Sequence, residues 1–417
     1  MNGKLLLTFF SRTVVALLNF IIVLLTARYM GVTARGQIAI IMLGITFSQV
    51  LHQVIGGAII YFAKKTRLQN LIIPAYLWAL AASFIVTALL VFIKQITIEY
   101  AFHVFVLSII QSLIATHLTL LLSFEKIKTQ NLVMFLQSFL IAGFLAVNTL
   151  LIKNNLIIDY LHTLYLSYFF CFTLSGYYLY KCNASHSNEY QLNVLLIKSI
   201  LRYGVVIQST NIVQLLNYRL SYLLLNTYSG SAALGVFSTA VSLGESAWLF
   251  SKSLTNIQFP KIIHATDGPF KIALTVNYAK ASLVGTAILL LPLMLLPGSI
   301  YTSLFGKDFE SLKTTIYLLS PGLIAIGFTT LFTHYFSGVQ KNNVNLFASS
   351  IGLLVTLITG YFLIPRFALT GACIATSLSY LVSGIFLVIV FIQFTNQKLV
   401  QLLPTKIRFK EIFDTLR

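Results

Sequence analysis

Charged side chains occur inside stretches that are otherwise apolar and close to twenty residues long. Arg12 lies in the first of these stretches, Arg219 in one near the middle of the chain, and Glu245 and Lys252 in the next. A charge at the centre of a membrane-spanning helix costs about 2.5–3.5 kcal/mol, so four facing lipid would cost on the order of 10 kcal/mol. We therefore expect these side chains to face water or one another.

Further polar residues share helix faces with these charges, because residues three, four or seven apart lie on one side of a helix. Four stretches carry such a face. The members are Arg12, Asn19 and Thr26; Gln49, His52 and Gly56; Gln208, Asn211, Arg219, Tyr222 and Asn226; and Ser238, Ser242, Glu245, Lys252 and Asn256. Two of the faces belong to each half of the chain, and we predict that they line a common cavity.

The cavity residues are assigned two roles. We expect one group to bind substrate, namely Arg12, Asn19, Gln49, His52, Gln208, Asn211, Arg219 and Lys252. Glu245, the acidic residue placed deep within a span, is the candidate for coupling to an ion or a proton. The alternatives are structural: Asn, Gln and Ser also join helices by hydrogen bonds, His52 suits a hydrogen-bonded interior, and Glu245 suits an ion pair with Lys252 or Arg219.

The composition is that of an integral membrane protein. Of 417 residues, 58% are hydrophobic and 9% charged, whereas soluble domains contain about 25% charged residues. Mean hydropathy is +0.88. An excess of 28 Lys and Arg over 10 Asp and Glu would suggest nucleic acid in a soluble protein, but here most of it falls between the apolar stretches. The three cysteines show no spacing that would indicate a disulfide, metal or cofactor site.

The apolar stretches predict an all-α membrane protein with about twelve spanning helices, each long enough for about 30 Å of hydrocarbon. We place them at 5–29, 36–61, 70–93, 100–123, 131–152, 157–180, 200–227, 233–258, 275–297, 312–337, 343–364 and 370–394. A polar interval divides them into two six-helix lobes around the cavity. The predicted parts are lobe 1–182, cytoplasmic linker 183–198, lobe 199–396 and a basic cytoplasmic tail, 397–417.

The distribution of Lys and Arg predicts the orientation. With the amino terminus in the cytoplasm, 17 of them fall in cytoplasmic segments and 7 on the other side. Cytoplasmic segments of membrane proteins carry such an excess. We therefore expect both termini in the cytoplasm of a multi-pass protein.

The two halves begin alike. Tyr29 precedes a Gly31-x4-Gly36 turn, and Tyr228 precedes Gly230-x4-Gly235. Since each half has an even number of spans, both enter the membrane from the same side. The repeat is thus predicted to be parallel, about an axis along the membrane normal.

At this point four stretches resemble the polysaccharide transporters of the MOP superfamily, the Wzx-type flippases. They are Ser11-Arg12 through Ala27-Arg28-Tyr29-Met30-Gly31 and Gly36; Tyr228 to Ala240 with Gly230, Gly235 and Phe237; Leu304-Phe305-Gly306-Lys307-Asp308-Phe309; and Leu363-Ile364-Pro365 followed by Gly371-Ala372 and Ala375-Thr376. The resemblance extends from end to end. It departs at Ala368, where the family has Gly, and at Cys373, where it has Ala.

The resemblance implies a two-lobed flippase of the bacterial cytoplasmic (inner) membrane. Its substrate would be an undecaprenyl-pyrophosphate-linked oligosaccharide for O-antigen, capsule or exopolysaccharide, moved by alternating access. The implied partners are membrane lipid, a polysaccharide polymerase and chain-length proteins, with proton or sodium coupling. A cationic cavity suits a pyrophosphate, because Arg forms charge-assisted bonds to it.

Two other classes of protein were weighed. A cation-coupled multidrug exporter of the MATE type should have an acidic cavity, whereas the predicted one is mainly basic. A lipid-linked glycosyltransferase could use Asp308 and Glu310 as a D-x-E metal motif, but the predicted external loops are too short for a reaction site. No other catalytic motif occurs, and we predict that the chain is not an enzyme.

Overall fold

The described part of the structure, a computed structural model, consists almost entirely of helices. It covers residues 3–63, 68–153, 156–183 and 194–402; within helices, the side chains of 3–12, 61, 183, 194–197, 203, 206 and 207 are not described. The helices are α1 (Gly3–Phe62), α2 (Leu68–Phe92), α3 (Ile98–Ser123), α4 (Ile127–Ala146), α5 (Ile157–Asn183), α6 (Val194–Ser246), α7 (Trp248–His264), α8 (Gly268–Leu295), α9 (Gly298–Phe305), α10 (Leu312–Gly338) and α11 (Asn342–Thr395). No strand occurs in these ranges.

Shorter turns complete the described backbone. A π-helical turn, Val147–Ile152, continues α4, and 3₁₀ turns occupy Lys307–Phe309 and Leu399–Leu402. The helix pair α6 and α7 bends by 45° at its junction. Together α6 after its glycine break and α7 form one membrane-length segment.

Three helices are too long for a single crossing and are broken inside. Helix α1 has 60 residues, which would extend about 90 Å if straight. Its break is at Gly31 (φ 82°, ψ 172°), that of α6 is at Gly230 (φ 78°, ψ 175°), and that of α11 is at Ala368 (φ 45°, ψ −120°). Each long helix is thus a hairpin of two spans.

The number of helices agrees with the sequence prediction. In the described ranges, eight helical stretches are long and apolar enough to cross a membrane, or nine when the bent pair α6–α7 is one span. Dividing the three broken stretches makes the helices correspond one to one with the twelve predicted spans. The all-α, multi-pass membrane fold is confirmed.

The chain forms two compact units, residues 2–212 and 213–417. The first part of α6 belongs to the first unit because it packs closely on α1. A Cβ on Gly204 would lie 1.6 Å from the carbonyl oxygen of Val54, so only glycine permits this approach. Much of the predicted linker, 184–193, lies outside the described residues, so the lobe boundaries stay a prediction.

Each unit has its own apolar interior. In the first, α1 packs against α2, α3 and α4. In the second, α10 packs against α8 and α11 around a cluster of aromatic rings. Phe332 and Phe391 have ring centroids 4.7 Å apart there, and Tyr335 lies 5.0 Å from Phe391.

Candidate functional site

An ion pair lies within the second unit, between the two arms of the α6 hairpin. The break at Gly230 folds the helix back, so that Arg219 before it meets Glu245 after it. Nη1 of Arg219 is 2.9 Å from Oε1 of Glu245, and Nη2 donates to Oε2 at 2.9 Å. Both side chains are 22% exposed. The guanidinium thus approaches both oxygens of the carboxylate and donates a hydrogen bond to Oε2, which is a charge-assisted bond.

Tyr222 also contacts the guanidinium, one turn after Arg219. Nη1 donates to its hydroxyl at 3.3 Å, and the guanidinium carbon lies 5.2 Å from the centre of its ring. The ring of Tyr222 packs in turn on Phe237 across the hairpin, with centroids 5.4 Å apart. Tyr222 therefore restricts where the Arg219 side chain can move.

A polar network connects α6 to α11 through Asn217, two residues before Arg219. Oδ1 of Asn217 accepts hydrogen bonds from Thr356 at 3.1 Å and Ser379 at 2.7 Å. Both hydroxyl groups also lie within bonding distance of the carbonyl of Gly352. These residues lie outside the polar faces predicted from the sequence, although Asn217 and Ser221 are one helical turn apart. Ser221 bonds Thr376 at 2.8 Å.

The aromatic side of the site is made by three rings. Tyr218 lies 5.3 Å from Tyr380 and 5.9 Å from Trp248, measured between ring centroids. Gln214 donates to the Tyr218 hydroxyl at 3.0 Å, and Trp248 donates to the carbonyl of Leu323 at 2.9 Å. These bonds hold the residues around Arg219 in fixed positions.

The structure decides between the alternatives for Glu245. Within the described residues, Lys252 is exposed on α7 and is not the partner of Glu245, which binds Arg219 instead. The alternative pairing with Lys252 is therefore wrong. The other alternative, an ion pair between Glu245 and Arg219, is the one present, so the charge of Arg219 is balanced in this structure.

In the first unit the predicted residues separate. Gln208 is buried, and a Cβ on Gly57 would lie 2.8 Å from its Nε2; Asn211 donates to its Oε1 at 2.8 Å. Gln49 is half-buried, and Asn19 and Asn211 are exposed. The side chain of Arg12 lies outside the described residues. The structure thus joins Gln208 to Asn211, one turn apart on α6.

His52 does not line an open cavity in this structure. Its side chain is 0% exposed, and its Nε2 lies 2.9 Å from the hydroxyl of Thr116 on α3. This is the hydrogen-bonded interior histidine of the structural alternative. Its position facing α3 is a property of packing, which helical spacing within α1 does not reveal.

Metal binding finds no support in the described residues, where no three His, Cys, Asp or Glu side chains are grouped for a metal ion. The described polar groups of the site instead offer hydrogen bonds and one balanced charge pair. Such an arrangement can bind an anionic or hydroxyl-rich molecule if the pair opens.

Comparison with known sequences gives one informative relative. No family model matches the chain. The capsular polysaccharide biosynthesis protein CapF of Staphylococcus aureus is 26% identical over 213 residues, 50% of this chain and 52% of that protein. The chain therefore matches about half the length of this curated relative.

Solved structures with a similar fold match nearly the whole chain. The lipid II flippase MurJ, in an inward closed conformation, superposes with a TM-score of 0.77 and 16% identity, covering 99% of this chain and 92% of MurJ. An inward-facing multidrug resistance MATE transporter of the MOP superfamily gives 0.71 and 14%, covering 92% and 94%. At such identities the likeness concerns the fold. Together with the sequence match, it confirms the recognition made from the motifs: this chain is a multi-pass membrane protein with the fold of the MOP transporter superfamily.

Proposed function

We propose that this protein is a flippase for an undecaprenyl-pyrophosphate-linked oligosaccharide. It would move the head group from the inner to the outer leaflet of the bacterial cytoplasmic membrane, with both termini in the cytoplasm, for assembly of a surface polysaccharide. A polymerase and chain-length proteins would then act on the product. The supporting observation is the coincidence of a MOP fold along nearly the whole chain with sequence similarity to a capsular polysaccharide biosynthesis protein.

In this proposal Arg219 exchanges its partner during transport. In the resting pair its two N–H groups are held by Glu245. A pyrophosphate also offers a pair of oxygens that a guanidinium can bind, and it carries more charge, so it competes with Glu245 for Arg219. Glu245, which is released when the pyrophosphate takes its place, is retained as the proposed residue for coupling to an ion or a proton.

Further contacts to the head group are proposed for the predicted residues whose side chains are exposed or half-buried. Lys252 and Asn211 are exposed, and Asn19 and Gln49 are exposed or half-buried. Arg12 is retained as a proposed second cation. Hydroxyl-rich sugars suit such amide groups, since each amide can donate and accept hydrogen bonds.

The proposal is tested in cells that lack the gene. Complementation with wild type should restore surface glycan and clear lipid-linked oligosaccharide from the cytoplasmic leaflet, whereas Arg219→Ala should leave it accumulated at equal amounts of membrane-inserted protein. Arg28→Ala is the matched control, because Arg28 is exposed near the end of the first span and outside the site. Full export by Arg219→Ala would refute the assignment.

The second candidate is a cation-coupled multidrug exporter, favoured by the MATE structural neighbour. The observation against it is the balanced Arg219–Glu245 pair, because Glu245, the acidic residue of the described site, already has a cationic partner. Normal surface glycan in the deletion strain together with increased sensitivity to cationic drugs would favour this exporter. Unchanged drug sensitivity with lost glycan would exclude it.

A further inference from the structure

Six buried polar atoms on three neighbouring helices of the first unit have no hydrogen-bond partner among the described residues. They are the hydroxyl oxygens of Ser48, Ser83, Thr87, Ser108 and Ser112 and the Nδ1 atom of His52. Thr87 is 8% exposed and the other five residues 0%. Because an unpaired buried polar group destabilises the fold, six in one unit require an explanation.

Two contacts define how α1 and α3 run past each other. A Cβ on Gly44 would lie 3.0 Å from Cγ1 of Val104, and His52 bonds Thr116. Both helices advance along the sequence between these contacts, so residues 32–62 of α1 run parallel to α3. These two contacts identify the face of each helix that packs against the other.

Three of the unpaired hydroxyls lie between those two levels on the same faces. On both α1 and α3 the relevant residues are spaced four apart in the sequence, so on each helix they lie on one side. The steps are Gly44, Ser48 and His52 on α1, and Val104, Ser108, Ser112 and Thr116 on α3. Ser48 therefore faces Ser108 and Ser112 across the helix contact.

Helix α2 brings the other two hydroxyls to the same place. A Cβ on Gly44 would lie 2.8 Å from Cδ1 of Leu90, and Trp78 donates to the carbonyl of Leu51 at 3.0 Å. Helix α2 thus runs antiparallel to this part of α1, with its residues 78–90 beside residues 44–51. Three and seven residues before Leu90, on its face, come Thr87 and Ser83.

The hydrogen bonds of His52 assign its tautomer. The hydroxyl of Thr116 donates to the carbonyl of Ser112 at 3.1 Å, so its oxygen accepts from Nε2–H of His52. Nδ1 then carries a lone pair and no hydrogen. It requires a donor, which the unpaired hydroxyls or a small molecule bonded to them can supply.

The charge of the surroundings selects the ligand. Residues 36–62 of α1 and all of α2 contain no Asp, Glu, Lys or Arg, and α3 has only Glu99, in its first turn. The nearby titratable groups His117 and Tyr76 bond each other. Helices α4 and α5 carry their charges near their ends, at Lys128, Asp159 and Lys181. A cation bound here would have no counter-charge, whereas a neutral molecule needs no counter-charge.

We propose that Ser48, His52, Ser83, Thr87, Ser108 and Ser112 enclose a buried cluster of water molecules. Buried waters typically make about three hydrogen bonds to groups that would otherwise be unsatisfied. Water can donate to Nδ1 of His52 and either donate to or accept from each hydroxyl, so it satisfies all six atoms.

A hydrated helix junction also has a consequence for movement, which rests on the proposed transport function. Bonds through water re-form after a small displacement of one helix, whereas a dry, close-packed contact loses dispersion energy at once. The cluster would let residues 32–62 of α1, which carry Gln49, shift against α2 and α3 during transport.

Radical footprinting of the purified full chain in ¹⁸O-labelled water tests for the cluster directly. Radiolysis of a bound water oxidises the side chain beside it, so His52 should be labelled although it has no exposed surface. His117 is the matched control: it is 3% exposed and bonded at both ring nitrogens, to Tyr76 and Ser175. Several-fold stronger labelling of His52 is expected. Equal, background labelling of both would overturn the proposal.

Alanine variants give an independent test. Ser48→Ala and Ser112→Ala should lower Tm by a few degrees, because the waters lose a partner. Ser167→Ala is the control, since its hydroxyl is equally buried and unpaired but lies on α5, outside the cluster; removing it should leave Tm unchanged or higher. If Ser48→Ala and Ser112→Ala both behave like the control, the proposal fails. Stabilisation by Na⁺ but not choline, lost in Ser48→Ala, would overturn water in favour of a cation.

Discussion

At the scale of single residues, the Arg219–Glu245 pair explains how a protein places charges inside a membrane. Each charge is costly in a low-dielectric environment, and the two-point contact at 2.9 Å compensates both. Exposure of 22% on each side chain leaves the pair reachable. A pair with these properties is stable at rest and can still exchange partners with an anionic ligand.

The first prediction concerns the stability of this pair. Arg219→Ala or Glu245→Ala alone leaves one charge without its partner and should lower the free energy of unfolding by about 3–5 kcal/mol if fully buried, and less at this exposure. The double variant Arg219→Ala/Glu245→Ala should be more stable than either single variant. Thermal unfolding of the purified proteins in detergent measures this. Simple additivity of the two single effects would show that the residues are not coupled.

The second prediction separates stability from transport. Exchanging the two charges, as Arg219→Glu with Glu245→Arg, should keep an ion pair and recover part of the lost Tm. Export of lipid-linked oligosaccharide should stay absent, because the guanidinium then projects from the other arm of the hairpin. Surface glycan and Tm are measured on the same variant, and full export would contradict a position-specific role for Arg219.

At the scale of elements, the glycine breaks determine where each long helix becomes two spans. Gly31 and Gly230 have nearly identical backbone angles with positive φ, and no atom lies within 4 Å of a Cβ built on either. Glycine is therefore required by the backbone conformation and not by packing. The equal geometry at equivalent places in both halves supports the predicted repeat.

The third prediction follows from those angles. Gly31→Ala should lower the free energy of unfolding by about 1–3 kcal/mol, the cost of holding a residue with a Cβ at positive φ and extended ψ, a region populated almost only by glycine. Gly143→Ala is the matched control, since its Cβ would also meet no atom within 4 Å but it lies in regular helix α4; it should gain up to about 1 kcal/mol. Tm shifts of the two variants in the same direction would contradict this explanation.

The fourth prediction concerns the third break. Ala368 has φ 45° and ψ −120°, a conformation that glycine adopts without strain, and the family resemblance has Gly at this place. Ala368→Gly should therefore raise the free energy of unfolding by about 1 kcal/mol, the relief of strain minus the larger entropy of glycine in the unfolded chain. A lower Tm for Ala368→Gly would show that the α11 hairpin does not depend on this strain.

At the scale of the whole molecule, two units are joined in one chain, and each begins with a glycine-broken hairpin. Both hairpins, together with the even number of spans that precedes the second, agree with halves that enter the membrane from the same side. The distribution of Lys and Arg predicts on which side of the membrane each connection between spans lies. Topology is thus a property of the whole chain, and it is tested as such.

The fifth prediction is the orientation of the chain. A fluorescent protein fused after Arg417 should fluoresce and alkaline phosphatase fused there should be inactive, because both termini are expected in the cytoplasm. Fusion after Lys153, in a segment predicted outside, should give the reverse result. High phosphatase activity at the carboxyl terminus would contradict the orientation and the direction of transport proposed from it.

The sequence by itself determined the membrane class, the twelve spans, the places of the glycine breaks and the relationship to MOP transporters. The length of an apolar stretch and the residues at a turn act locally, so both can be read directly from the sequence. Only the tertiary structure decided that Glu245 meets Arg219 and not Lys252, that His52 faces Thr116, and that six buried polar atoms on α1, α2 and α3 have no partner among the described residues. Helical spacing defines which residues share a face, but the opposing helix, its register and its direction depend on packing between segments far apart in the chain.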